Sequence, residues 1–152
     1  MKKLFALILA VVMIFSLSVT AFAANTTGGE ADITTSIAPT YTVTIPADVN
    51  VAFNATETAF GTIEVTASQI HPDKCIKVAL ATDKELNNAI DNTKVIPYAI
   101  NDSEGAEFTS ATYLTEGDKT ELSIHITADD WNAAYAGDYS DTVTFTVSYE
   151  DK

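Results

Sequence analysis

Trp131, Tyr135 and Tyr139 follow one another at intervals of four residues, around the Ala136-Gly137-Asp138 turn. Aromatic side chains on one loop can form a platform for a sugar ring, because their faces supply the apolar part of such sites. These three are the candidate ligand-binding residues. Trp131 is also the only Trp. A small domain gains much from burying so large a ring, so a cap on the end of the core is the preferred role for it.

Carboxylates pose a second question. Asp129 and Asp130 precede Trp131, Asp138 and Asp141 follow it, and Asn101-Asp102-Ser103-Glu104 is another oxygen-rich turn. Ca²⁺ needs six to eight oxygens. No Asp-x-Asp-x-Asp-Gly register occurs, so a solvated acidic rim is the reading preferred over a Ca²⁺ site, and no cofactor or metal ligand is assigned. Cys75 is the only Cys, which excludes an internal disulfide and any multi-cysteine metal site. It shares strand parity with Lys77, on the outer face. A small buried hydrophobe is preferred to an intermolecular disulfide. His71 and His125 cannot make a three-histidine site. No phosphate loop, nucleophile elbow or glycosidase signature is present. The expectation is that the protein is not an enzyme.

The 152 residues allow one domain. Eight Lys against 21 Asp and Glu give a formal charge of −13. That excludes the basic patch a nucleic-acid partner requires and disfavours anionic lipid. Lys2 and Lys3, the apolar run Leu4–Leu17 and Ala21-Phe22-Ala23 form a secretory signal pattern. The expected division is signal peptide 1–23, leader and edge or donor strand 24–38, and β-domain 39–152. Loss of Lys2 and Lys3 takes the charge from −13 to −15. The mature chain is expected to be secreted or at the cell surface, with no membrane association.

The elements that must position these residues read as strands. Apolar residues alternate with polar ones at 41–45, 49–53, 63–67, 76–80, 96–100, 122–126 and 143–149. Thr and β-branched residues suit a half-buried pleated surface, and one polar face per strand fits antiparallel sheets. The run Val143, Phe145, Val147 and Tyr149 predicts the inner face of a central strand. Pro97 marks an edge or a break in the ladder. Residues 82–90 and 129–134 offer footholds for a short helix or a capped turn. The expected fold is all-β: an antiparallel Ig-like β-sandwich of about seven strands.

Ala136-Gly137-Asp138-Tyr139-Ser140-Asp141-Thr142-Val143-Thr144-Phe145-Thr146-Val147-Ser148-Tyr149 resembles the closing strand of the spore coat protein U family, which is similar to pilin subunits. Phe60–Thr66 resembles the family's Gly-x-Ile-x-Val strand, and Ile96–Asp102 its mid-domain Tyr strand and turn. Ala67 stands where members commonly carry Cys. The resemblance implies an Ig-like sandwich with a surface or appendage role.

The expected function is a non-catalytic structural or adhesion module, a pilin-like subunit. The alternative is a carbohydrate- or ligand-binding module using the Trp131–Tyr139 end. Expected partners are other surface proteins or glycans, with self-association through the N-terminal segment. Ile33 and Ile37 share one strand face there. Folding back onto its own sheet is favoured by the short spacing to Tyr41, and exchange with a neighbour is the alternative.

Overall fold

The computed structural model describes residues 30–152. The signal-peptide reading and most of the leader fall outside them. The first alternating Thr run forms β1 (Thr40–Thr44), which pairs with the C-terminal half of β2 (Glu57–Gln69). The other half of β2 pairs with β8 (Lys119–His125), and β8 pairs with β6 (Ala99–Asp102). The second sheet has β3 (Lys74–Ala81) between β7 (Ser110–Tyr113) and β10 (Thr144–Asp151). A third, small sheet orders β5 (Val95–Pro97), β4 (Glu85–Asn88) and β9 (Tyr139–Ser140). All the pairings are antiparallel. The two larger sheets hold the seven principal strands of a sandwich-like, all-β fold.

The alternation explains the core. Ile63 and Val65 of β2, Leu122 and Ile124 of β8 and Ile100 of β6 form one cluster with Ile76 and Val78 of β3 and Tyr113 of β7. Each turns the same parity of its strand inward, as the two-residue side-chain period requires. The Phe60 and Phe145 rings lie 5.9 Å apart and those of Tyr41 and Tyr149 5.7 Å apart. The Tyr113 hydroxyl donates to Thr120 Oγ1 at 2.8 Å, which ties β7 to β8.

Four local expectations are corrected. First, among the described residues β10 is an edge strand, paired only with β3. Its predicted inner face is right: Phe145, Val147 and Tyr149 stand opposite Leu80, Val78 and Ile76. At the edge, however, all three are only half-buried.

Second, residues 49–53 form no strand. Because β1 occupies the Glu64–Gln69 half of β2, the connection must run back along the other half before Glu57. Pro46 there has no N–H to donate. It abuts Gly61, where φ is +136° and an added Cβ would lie 3.1 Å from Pro46 Cβ. Gly61 accompanies a break in register between β2 and β8.

Third, residues 82–90 are not helical. Leu86 pairs opposite Ile96 in β4, while Ile90 is 89% exposed, so their i, i+4 spacing defines no common buried face. Fourth, the 96–100 run is split. Pro97 ends the edge strand β5 and Ala99 opens β6 in another sheet, with buried Tyr98 at the crossing.

Residues 30–39 also take no part in a strand, and Ile33 is 99% exposed. The described part of the segment therefore does not fold back to complete its own sheet, as its short spacing to Tyr41 suggested.

Candidate functional site: an aromatic cleft beside the third sheet

The footing of the site is α1 (Ala128–Ala133), capped by Thr127, whose side chain accepts the Asp130 N–H. Asp129 and Asp130 lie in its first turn, where carboxylates favour the positive end of a helix. α1 presents Trp131 to the core, and the indole N–H donates to the Ala55 carbonyl at 2.9 Å. That bond fixes the ring against the 45–56 connection. Asn54, at φ 64°, turns the chain there and sets Phe53 against Trp131. The rings meet edge to face, with centroids 5.6 Å apart and planes at 81°.

The loop after α1 brings back the other two aromatics. The Tyr139 hydroxyl donates to the Tyr135 carbonyl at 2.9 Å and accepts the Tyr135 N–H at 3.1 Å, closing the loop on itself. The Lys94 ammonium lies 5.2 Å from the centre of the Tyr135 ring. Trp131, Tyr135 and Tyr139 thus line one cleft of about 630 Å³, together with Phe53, Asn54 and Asn132. Trp131 packs on the core, the role preferred from the sequence, and also walls the cleft. Phe53 and Asn54 escape the sequence reading because the Val49–Phe53 alternation points to a strand.

Gly137 is the pivot of this loop. Its φ of +146° is rarely taken by residues with a side chain, and an added Cβ would lie 2.6 Å from Asn88 Nδ2. Among the described residues Asn88 is the one buried polar side chain, and its Oδ1 accepts the N–H groups of Ile90 and Asp91. It also pairs with Tyr139 where β4 meets β9. Gly137→Ala is therefore expected to cost about 1–3 kcal/mol, by strain and by displacing the Asn88 amide. A urea titration measures the cost, and an unchanged midpoint would contradict the role given to Gly137.

The acidic residues have other work. Asp141 Oδ2 accepts hydrogen bonds from Tyr98 Oη and, at 2.8 Å, from Thr82 Oγ1, while Oδ1 accepts the Thr142 N–H. Burial alone would push the Asp141 carboxyl up, but these hydrogen bonds together bring it below its ordinary value. Burial, followed by the bond to Asp141, pushes Tyr98 well above its ordinary value. Asp102 accepts the N–H groups of Glu104 and Ala106 in its own turn. Asp118 accepts those of Leu114 and Thr115, which hold its carboxyl below the usual range. Among the described residues, no three His, Cys, Asp or Glu side chains gather as a metal-binding group.

His125 lies 3.1 Å from Glu57, and the His71 N–H donates to the Tyr149 hydroxyl. Cys75 has the outer-face parity expected of it but is only 4% exposed, with Sγ 3.7 Å from the Glu150 and Asp151 carbonyls. It is a sheltered thiol.

These features define an antiparallel, sandwich-like β-domain with an aromatic cleft beside its small third sheet. No protein-family model matches the chain, and no curated protein matches it.

Proposed function

We propose that this chain is a non-catalytic structural or adhesion module of the cell surface, a secreted pilin-like subunit that associates through its N-terminal segment. The observation carrying this reading is the outer edge of β10, which is unpaired among the described residues. Natural edge strands are blunted by proline, inward charge, bulges or shortness. β10 is eight residues long, pairs in continuous register with β3, and has neither Pro nor charge from Thr144 to Tyr149. Its inner side chains are left half-covered. An edge of this kind accepts an added strand, with main-chain hydrogen bonds for affinity and apolar pockets for register.

The occupant is the 30–37 segment of a second copy. Eight extended residues span roughly 26 Å, the same as β10. Ile33 and Ile37 are 99% and 63% exposed. They share a strand face, so both could enter the apolar layer between the sheets beside Tyr41 and Tyr149. The likeness of 136–149 to the closing strand of spore coat protein U domains supports the same reading. The charge of −13 favours a subunit that stays soluble until it meets its partner.

Light scattering on the secreted chain at high micromolar concentration tests the proposal. The parent is expected to form oligomers, and Ile33→Asp with Ile37→Asp to remain monomeric at unchanged stability. A monomeric parent, or an oligomer indifferent to both substitutions, would count against it.

A further inference from the structure

The cleft at Trp131 has no part in strand exchange, and its chemistry is specific. Phe53 is 77% exposed and Tyr135 63% exposed, although a small domain gains by burying such rings. Neither is loosely placed. Phe53 abuts Trp131, which is fixed by its bond to Ala55. Tyr135 is tied through its backbone to the Tyr139 hydroxyl and through its ring to Lys94. Exposed rings held in place by the protein's own contacts form a preorganised surface, which reduces the ordering cost of binding.

We infer that this cleft binds a neutral glycan chain, with sugar rings against Phe53, Trp131 and Tyr135 and hydroxyls on Asn54 and Asn132. The cavity of about 630 Å³ is within the range of small-ligand sites. Ring faces suit the C–H faces of a pyranose, and each amide supplies both donors and acceptors for hydroxyl groups. Charge selects the class. No Asp, Glu, Lys or His side chain lines the cleft. An anionic glycan would meet a protein of formal charge −13 with no cation among the residues lining the cleft, Lys94 sitting on the Tyr135 ring outside that lining. A quaternary ammonium would meet the like charge of Lys94 at the Tyr135 ring. A purely apolar ligand would cover two amides and satisfy neither. A neutral polyol with flat apolar faces meets every condition.

The test titrates the full chain with cellohexaose, chitohexaose and mannohexaose, and with hexagalacturonate and choline as charged comparisons. Emission of the single Trp and calorimetry provide the readouts. At least one neutral hexaose is expected to bind with Kd below about 1 mM and to shift the Trp131 emission. Phe53→Ala and Tyr135→Ala, both at exposed positions, are expected to weaken that binding at least about tenfold without moving the urea midpoint. The inference is overturned if no neutral hexaose binds at about 5 mM, if both variants bind like the parent, or if hexagalacturonate or choline binds more tightly than every neutral hexaose.

Discussion

Ile76→Ala is expected to destabilise the domain by about 3–4 kcal/mol, the largest single effect among the substitutions considered. Ile76 is fully buried in β3, the middle strand of its sheet, and faces the opposite sheet. Its removal takes apolar contacts away and leaves a cavity that close-packed neighbours cannot fill. Phe145→Ala, although it deletes a larger side chain, should cost only about 2 kcal/mol, because an edge-strand residue already half in water loses less on truncation. Thr144→Ala, on the exposed face of the same strand, should cost under about 1 kcal/mol. Urea titrations of the three variants in the monomeric Ile33→Asp, Ile37→Asp background give the order directly. Phe145→Ala costing as much as Ile76→Ala in that background would contradict the half-buried edge position given to Phe145.

Asp141→Ala should cost about 2 kcal/mol at neutral pH and change how stability depends on pH. The carboxylate joins three otherwise separate pieces of chain: Thr82 before β4, Tyr98 between β5 and β6, and the approach to β10. Its pKa is lowered in the folded protein, so the folded state favours the ionised form. That stabilisation is present above the unfolded value near 3.8 and is lost as pH falls through the lower, folded value. The variant should therefore lose less stability than the parent when both are taken from pH 5 to pH 3. Asp118, lowered by the N–H groups of Leu114 and Thr115, keeps some acid sensitivity in both proteins. The opposite sign holds at high pH. Tyr98 is raised above its ordinary value of 10.0, so its contribution is intact below that value and is lost as the phenol ionises at higher pH. Tyr41 and Tyr113, raised chiefly by burial, act in the same direction. Equal acid-induced losses in parent and variant would remove Asp141 from this account.

The sequence by itself determined the strand class and, for most strands, the buried face. The two-residue period is local and requires no knowledge of the partner strand. Val143, Phe145, Val147 and Tyr149 could be read as one inner face because the pleat alone puts alternate residues on one side. A capped turn at 129–134 was legible for the same reason, since a cap depends on residues three apart, although the helix starts at Ala128 with Thr127 as its cap. The aromatic trio at 131, 135 and 139 was visible as a group on a single loop.

Pairing was not legible, because it depends on residues distant in sequence. The rank of β10 in its sheet is set by which other strands pair beside it, and the sequence of β10 reads alike for a central and an edge position. Residues 49–53 alternate as a strand does, yet β1 holds one half of β2, and Pro46 and Gly61 prevent a ladder beside the other half. That tertiary accident delivers Phe53 and Asn54 to Trp131 and makes a cleft out of a loop. Cys75 shows the same limit: its parity is outward, but the chain end at Glu150 and Asp151 shelters it. Local alternation chose the faces. Only the competition among strands for backbone partners decided which edge stayed open and which aromatics met.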